Sequence, residues 1–306
     1  MEPIYITISE LGRKISVSMI TLKHKDLSAK INPLGAELNS LYHAGTCIEY
    51  MWQADTAFWA KHSPVLFPIV GSLKNNTYFF EGRSYTLPRH GFARERMFEA
   101  DQLSEKEAVF TLTDDEKSLR VYPFPFQLQL KYTLDDDCIS VTYTVQNPGA
   151  TILWFSVGGH PAFNVPLIAG TSYGDHYLQF NLHEPLVRWH LKDGLISEEN
   201  SLVASASGRI PLNPSLFYED AIVLKNLKSD RLTLGSTRHA HGIDFDFKGF
   251  PYLGIWAAKD APFVCIEPWC GHADTVGHDG LLESKPGIEK IAGGEVWERT
   301  WKVRVF

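Results

Sequence analysis

Strict alternation of apolar and polar side chains over two adjacent segments is the feature that most constrains how this chain folds. Every second residue from Phe126 to Leu134 is apolar, and residues 139–145 repeat the pattern after the turn-forming Asp135-Asp136-Asp137. Because side chains along a strand point alternately to opposite faces, each segment has one apolar face and one polar face. The pattern therefore predicts a β-hairpin that buries one face in a core.

Other short apolar stretches, bounded by Gly, Pro, Asn and Asp, recur along the chain, and residues 301–305 alternate again. We predict a second hairpin from residues 221–224 and 232–234, and a short helix over residues 55–61 capped by Asp55. Helical periodicity is otherwise scarce, and the regular alternation of strands and helices typical of parallel sheets is absent. These patterns predict an all-β fold, either a sandwich or a barrel.

The length of 306 residues is compatible with one large β domain, so we expect residues 19–306 to form a single domain. Residues 1–18 precede the first predicted core strand, and we interpret them either as an N-terminal extension or as an added edge strand. The chain has no Gly-rich phosphate-binding loop, so nothing in the sequence favours a nucleotide cofactor.

The charge balance and the cysteines limit the classes of protein to which this chain can belong. With 29 Lys and Arg against 36 Asp and Glu, the net charge is -7, and no basic cluster stands out. Because nucleic-acid binding requires a basic surface, we expect no nucleic-acid partner. Four cysteines are too few for a disulfide framework, and neither a signal peptide nor a membrane-length apolar run is visible. We therefore expect a cytoplasmic monomer or homodimer that binds no membrane.

Four polar residues lie where they are candidates for chemistry. His90 precedes a Gly in a loop, His160 follows two Gly after an apolar strand, Asp220 begins an apolar stretch, and Glu267 ends one. Each also has a structural interpretation, as a loop His bonded to the backbone, a turn, a turn-forming Asp or one half of a buried pair. Because burial of an unpaired carboxylate is costly, Glu267 either has a partner or has a pKa raised for proton transfer.

Metal binding is the competing use of such residues. His239-Ala240-His241 forms one candidate set, and Cys265, Cys270 and His272 form another. Neither set has a spacing typical of zinc sites, such as CxxC or HExxH, so we expect no metal and no other cofactor. The absence of a GxSxG motif likewise argues against a serine nucleophile.

Together, these segments resemble the aldose 1-epimerase (galactose mutarotase) family, in particular its LacX-type bacterial branch. The resemblance extends from about Met19 to the C-terminus and implies the large antiparallel β-sandwich of that family, with a cleft on one face. The stretches that carry it are residues 31–38, residues 64–71, His90-Gly91-Phe92-Ala93-Arg94, Gly159-His160-Pro161-Ala162-Phe163-Asn164 and Ile266-Glu267-Pro268-Trp269.

The resemblance also implies roles for individual residues. His160 matches the general acid of the family, and Glu267 matches its general base. His90 matches a second His that holds the sugar beside the ring oxygen, and Asp220 matches a carboxylate that binds sugar hydroxyls.

One position departs from the family, because Ser72 stands where the family usually has an Arg. Ser cannot reproduce the fork of donors that a guanidinium offers, and we expect Lys74 or Arg94 to compensate in substrate binding. An apolar platform for the C–H face of the sugar is expected from an aromatic side chain. The candidates are Trp269, Trp59 and Phe163.

The expected function is interconversion of the α and β anomers of a free monosaccharide. Ring opening needs a base at the anomeric hydroxyl and an acid at the ring oxygen, and it demands no cofactor. Three alternatives stay open. One is a non-catalytic carbohydrate-binding or sensor protein, which is suggested by Ser72 in place of the family Arg. The others are a glycoside hydrolase or polysaccharide lyase, and a mutarotase that acts on a sugar phosphate.

Overall fold

A computed structural model of the protein describes residues 18–205 and 207–306, and the interpretation of the first 17 residues lies outside them. In this part of the chain there is one α-helix, α1 (Glu116–Val121), which begins after the capping residue Asp115. The Asp115 carboxylate accepts a hydrogen bond from the Ser118 backbone N–H at 2.6 Å. No helix among the described residues is long and apolar enough to cross a membrane.

The described residues form 25 strands, joined by turns and by short 3-10 segments. In chain order the strands are β1 (Ile20–His24), β2 (Leu27–Asn32), β3 (Glu37–His43), β4 (Ile48–Glu49), β5 (Val65–Leu66), β6 (Thr77–Phe80), β7 (Arg83–Thr86), β8 (Glu99–Ser104), β9 (Glu107–Thr113), β10 (Gln127–Asp135), β11 (Cys138–Gln146), β12 (Leu153–Phe155), β13 (Val157–Gly159), β14 (Ala162–Asn164), β15 (His176–Phe180), β16 (Leu186–Lys192), β17 (Leu195–Ala204), β18 (Arg209–Pro211), β19 (Ile222–Lys225), β20 (Arg231–Ser236), β21 (Ile243–Asp246), β22 (Tyr252–Trp256), β23 (Phe263–Cys270), β24 (Glu289–Ile291) and β25 (Val296–Val305). The 3-10 segments are Lys74–Asn76, Ala93–Glu95, Tyr173–Asp175, Pro214–Phe217 and Leu282–Ser284.

Two large antiparallel sheets dominate the fold. One has nine strands in the order β18-β15-β20-β21-β25-β11-β10-β9-β8. The other has eight, in the order β17-β16-β19-β22-β23-β13-β5, with β14 paired to β23 beside β13. A four-stranded sheet, β1 to β4, and the pairs β6-β7 and β12-β24 complete the architecture. The predicted all-β, antiparallel fold is confirmed.

The predicted first hairpin is confirmed as β10 and β11. Their register places Gln127 opposite Gln146 and Leu134 opposite Ile139, and the tight turn contains Asp136 in the left-handed region, with φ 49°. The apolar positions of both strands are buried, whereas the intervening positions are half-buried or exposed. The alternation in the sequence therefore reports the single buried face of this hairpin.

The predicted second hairpin is wrong, because its two segments lie in different sheets. Strand β19 pairs with β16 and β22 in the eight-stranded sheet, whereas β20 pairs with β15 and β21 in the nine-stranded sheet. Ile222, Val223 and Leu224 are all buried, so β19 is covered on both faces and is a central strand. The turn after it carries the chain across to the other sheet.

The predicted helix over residues 55–61 is also wrong. Asp55 does cap a turn, since its carboxylate accepts from the Ala57 N–H at 2.9 Å and its carbonyl accepts from the Trp59 N–H at 3.0 Å. The next turn of helix does not form because the His62 N–H donates to the Glu37 carboxylate instead, at 2.7 Å. The Trp59 carbonyl accepts from the Trp52 indole at 2.9 Å.

The two large sheets pack face to face. Phe163 of β14 meets Phe245 of β21 with ring centroids 6.0 Å apart, and Trp301 of β25 donates its indole N–H to the Tyr143 hydroxyl inside the core. The eight-stranded sheet also carries a second, smaller apolar cluster, separate from this core. Its buried members are Leu66, Val70, Ile196, Ala221, Val223, Trp269 and Ala273.

Candidate active site

The register of strand β23 brings His160 and Glu267 together. The β13 pairing places Gly158 opposite Trp269, and the β14 pairing places Ala162 opposite Cys265. Both registers put residue 160 opposite residue 267, at the break between the two short strands. Pro161 contributes to this break because it has no backbone N–H to pair, while its carbonyl accepts from Ile266 at 3.1 Å. Cross-strand neighbours share a face, so both side chains point the same way.

The two side chains are in contact. His160 Nε2 lies 3.3 Å from Glu267 Oε2, and both residues are buried, with Glu267 only 1% exposed. Among the described residues, His160 Nδ1 and Glu267 Oε1 have no hydrogen-bond partner. A buried polar atom without a partner carries a desolvation cost, which a ligand with hydroxyl groups would remove.

Burial sets the charge state of this pair. It raises the pKa of Glu267 to about 8, partly offset by the positive charge of Arg89 and by the nearby Trp269 indole N–H. It lowers the pKa of His160 to about 3, and the positive charges of Arg89 and Arg94 act in the same direction. At pH values between about 3 and about 8, the pair therefore shares one titratable proton and is electrically neutral. Such a pair can take a proton from one oxygen and give a proton to another.

Aromatic rings fix the His160 imidazole. Trp59 stacks on it with centroids 4.9 Å apart, and Trp256 meets it edge to face at 5.7 Å. Phe263 in turn packs against both Trp rings. Because the ring is held from two sides, its orientation toward Glu267 is fixed by packing rather than by a hydrogen bond. Trp256 was not among the residues singled out in the sequence.

His90 lies on the other side of His160, with ring centroids 5.8 Å apart. Its Nδ1 accepts a hydrogen bond from the Gly71 N–H at 3.1 Å, so the neutral ring carries its proton on Nε2 and offers a donor. Burial lowers the pKa of His90 well below its usual value. Gly91 has φ +70°, and a Cβ there would lie 2.3 Å from the Phe67 carbonyl oxygen, so the chain itself, rather than a ligand, approaches this Gly.

Trp269 shares the face of Glu267, two residues further along β23. A Cβ at Gly158 would lie 2.7 Å from its ring, and a Cβ at Gly254 would lie 2.3 Å from it. Glycine on the two flanking strands therefore leaves the space in which this indole lies flat beside the catalytic candidates. The ring is 6% exposed and forms part of a cavity wall.

Three charged side chains, Asp220, Arg94 and Arg89, line the same cavity as His160 and Glu267. Asp220, with φ 141°, precedes β19, and its carboxylate accepts from the Ala221 N–H at 2.7 Å. Arg94 donates to the Arg89 carbonyl at 2.9 Å, and burial lowers its pKa. Arg89 is exposed, yet it lines the same cavity. Arg89 was not predicted from the sequence, although it immediately precedes His90 in a segment with a candidate site residue.

The structure brings most of the predicted site residues to one cavity of about 270 Å³. Since liquid water occupies about 30 Å³ per molecule, this is room for roughly nine waters or one small ligand. Residues that line it and were predicted to act there are His90, Arg94, His160, Asp220, Glu267, Trp269 and Trp59. The others are Gly71, Arg89, Leu191, Gly194, Ile196, Ala221, Val223, Trp256 and Ala273.

Three predicted residues do not line this cavity. Lys74 directs its Nζ to the His278 carbonyl at 3.2 Å. Ser72 lies just behind the wall, since a Cβ at Gly194 would lie 3.3 Å from its Oγ. Phe163 is fully buried in the core between the sheets, on the face of the eight-stranded sheet opposite to that of His160 and Glu267. Among the candidates proposed to replace the family Arg, Arg94 is therefore the one beside the cavity.

Comparison with known proteins supports the same family. The family described as Aldose 1-epimerase matches residues 18–277. The chromosomal LacX protein of Lactococcus lactis subsp. lactis is 31% identical over 298 residues, which cover 94% of this chain and 99% of that protein.

Solved structures agree in fold across nearly the whole chain. The galactose mutarotase related enzyme from Lactobacillus acidophilus has a TM-score of 0.91 at 33% identity and covers 94% of this chain and 97% of its own. A galactose mutarotase-like protein from Lactobacillus casei has a TM-score of 0.89 at 33% identity, covering 94% and 100%. The protein therefore belongs to the aldose 1-epimerase family.

Proposed function

We propose that this protein is an aldose 1-epimerase that interconverts the α and β anomers of a free monosaccharide, with Glu267 as base and His160 as acid. The observation that carries the proposal is the contact of these two side chains, 3.3 Å apart and buried, in one wall of a cavity with room for one sugar. Burial poises the pair to hold a single proton, which is what an acid–base couple requires.

Ring opening moves two protons in opposite directions. In the tautomer that reacts, the shared proton lies on His160 and Glu267 is ionised. Glu267 then takes the proton of the anomeric hydroxyl, and His160 gives its proton to the ring oxygen as the bond from that oxygen to C1 breaks. The open-chain aldehyde rotates about the C1–C2 bond, and the ring closes on the other face. The same groups then work in reverse, so the enzyme returns to its starting state. Each general acid or base of this kind contributes roughly 10²- to 10⁴-fold to the rate.

The remaining lining residues suit the task of holding a sugar. The Trp269 indole offers an apolar surface to the C–H face of a pyranose, and Trp59 offers another beside His160. The Asp220 carboxylate accepts from sugar hydroxyls, whereas His90 Nε2 and the Arg94 guanidinium donate to them. This set combines an aromatic wall with a few directed polar groups, as is common in small-ligand sites.

The test is anomer exchange of freshly dissolved α-glucose and α-galactose, followed by polarimetry with the spontaneous rate subtracted. Glu267→Gln keeps the shape of the side chain but cannot act as a base, so we expect a loss of about 10²- to 10⁴-fold with sugar binding retained. Glu219→Gln is the matched control, because the Glu219 side chain is 76% exposed beside Asp220 and lines no part of the cavity. Equal enzyme-dependent rates for the wild type and Glu267→Gln would refute the assignment of the base. A wild type no faster than the spontaneous reaction would favour a binding protein without turnover.

A second candidate is the same reaction on an aldose that carries a phosphate. The observation that favours it is the pair of guanidinium groups at the cavity, Arg89 and Arg94, close enough to influence the pKa of His160. Guanidinium groups bind phosphate through paired, charge-assisted hydrogen bonds. Competition between glucose and glucose 6-phosphate in one exchange assay separates the candidates. A clear preference for the phosphate that is lost in Arg89→Gln would support the second.

A further inference from the structure

Cys265 lies beside the proposed acid–base pair. It is two residues before Glu267 on β23 and therefore points to the same face, although it is fully buried and does not line the cavity. Its Sγ, one ring nitrogen of His160 and one carboxylate oxygen of Glu267 all lie within 4.8 Å of one another. In the sequence, Cys265 was grouped with the nearby Cys270 and His272, a set without the spacing of a zinc site, whereas the fold supplies two different partners.

We infer that His160, Cys265 and Glu267 form a binding site for a thiophilic divalent metal ion, represented by Zn²⁺ or Cd²⁺, which inhibits the enzyme by occupying its proton-transfer groups. His nitrogen, Cys sulfur and carboxylate oxygen are the three kinds of zinc ligand, and three protein ligands are the number found around zinc ions that keep an open coordination position. The thiolate selects such ions over Mg²⁺ and Ca²⁺, which prefer oxygen ligands.

The three ligand atoms need to move only slightly to bind an ion. Bond lengths of about 2.0–2.3 Å in a tetrahedral site place the ligand atoms roughly 3.3–3.8 Å apart. His160 Nε2 and Glu267 Oε2 are already 3.3 Å apart, and the longest separation in the set is at most 4.8 Å. Rotation of the Cys265 and Glu267 side chains covers the difference, and the cavity that His160 and Glu267 line offers a fourth position to water.

The charge balance suits a buried ion. Zn²⁺ with one thiolate, one carboxylate and one neutral imidazole carries no net charge, which limits the desolvation cost. Glu267 Oε1, which has no hydrogen-bond partner among the described residues, lies on the same carboxylate and is available to the ion as well. The positive charges of Arg89 and Arg94 oppose the ion, and the negative charge of Asp220 favours it.

Metal binding and proton transfer exclude each other at this site. The lone pairs that would bind the ion are those that accept and hold the proton in the proposed reaction, so the metal-bound enzyme cannot open the sugar ring. Binding of the ion itself does not require turnover. The inhibition rests on the proposed function, whereas the binding site does not.

The test is direct binding to the full chain after removal of metal with a chelator. Calorimetry with Zn²⁺ should give one site per chain, and Co²⁺ should give the near-ultraviolet charge-transfer band of a thiolate ligand. Cys265→Ala should weaken Zn²⁺ binding at least tenfold and abolish the band. Cys270→Ala is the matched control, because Cys270 is a buried free Cys on the same strand, outside the set, and should leave both unchanged. Cys265→Ser serves if the Ala variant does not fold.

Activity provides the second readout. Zn²⁺ should slow anomer exchange by the wild type, and a chelator should restore the rate. Mg²⁺ should have no effect on the rate. Cys265→Ala should exchange anomers at the normal rate, and Zn²⁺ should not slow it. Absence of a Zn²⁺ site in the wild type, or equal affinity in Cys265→Ala, would overturn the inference. Binding that depends on Cys265 in a protein without any exchange activity would uphold the site and refute the proposed function instead.

Discussion

Replacement of Glu267 by Gln is expected to stabilise the fold while it removes activity. Burial raises the pKa of Glu267 from 4.5 to about 8, so at pH 7 this group is ionised in the unfolded chain and protonated in the folded one. Each pH unit between the unfolded-state pKa and pH 7 costs about 1.36 kcal/mol, which amounts to roughly 3 kcal/mol. Gln is neutral in both states and carries no such cost.

The sign of the effect follows from the direction of the pKa shift. Because the folded-state pKa is raised, burial of Glu267 costs no stability below pH 4.5 and costs progressively more as the pH rises toward 8. The entropy of unfolding is about 2.1 cal/mol/K per residue, so for 306 residues a gain of about 3 kcal/mol raises Tm by about 5 °C. The gain should be close to zero below pH 4.5, about 3 kcal/mol at pH 7, and largest above pH 8.

Thermal unfolding at pH 5 and pH 8 measures this gain, with Glu219→Gln as the exposed control. We expect the melting temperatures of Glu267→Gln and the wild type to differ by only about 1 °C at pH 5, and Glu267→Gln to melt about 7 °C higher at pH 8, where the gain reaches about 4 kcal/mol. A Glu267→Gln variant that is less stable than the wild type at pH 8 would refute the reasoning. That result would mean that, in the resting folded protein, the shared proton lies on His160 and Glu267 is ionised.

Two other perturbations follow from the same geometry. The rate constant kcat/KM should be flat in mild acid and fall about tenfold per unit above pH 8, because the pair then loses its shared proton; a rate that rises through pH 8 would contradict this. Gly158→Ala should cost about 1–3 kcal/mol in the free energy of unfolding and weaken sugar binding, since its Cβ would lie 2.7 Å from the Trp269 ring. Gly277→Ala, which meets nothing within 4 Å, is the control in denaturation and binding titrations.

Alternation in the sequence predicts those strands that bury one face. Leu128, Leu130 and Tyr132 alternate with polar residues, and the hairpin β10-β11 follows from this pattern alone. Strand β19 has three consecutive buried residues and shows no period, so the sequence marks it as apolar without saying which strands flank it. Its assignment to a hairpin failed because the choice of sheet depends on packing between distant segments, which local spacing does not record.

The site, like the strands, could be predicted only where a local pattern in the sequence marks it. His160 and Glu267 each stand out locally, since one follows two glycines and the other ends an apolar stretch of the sequence before a proline. Their contact is fixed by the register of β13 and β14 on β23, which no local pattern contains. Trp256 and Arg89 reach the cavity through that tertiary arrangement, and Lys74 misses it because its backbone N–H and its Nζ bond to residues 274 and 278.

The central claim is that His160 and Glu267 act as one proton-transfer unit, and a double-mutant comparison of anomer exchange tests it most directly. The rates to measure are those of the wild type, His160→Gln, Glu267→Gln and the double variant. Groups that act as a unit are strongly non-additive, so each single change should cost about as much as both together, roughly 10²- to 10⁴-fold. Losses that multiply in the double variant, or single variants that exchange anomers at the wild-type rate, would contradict the account.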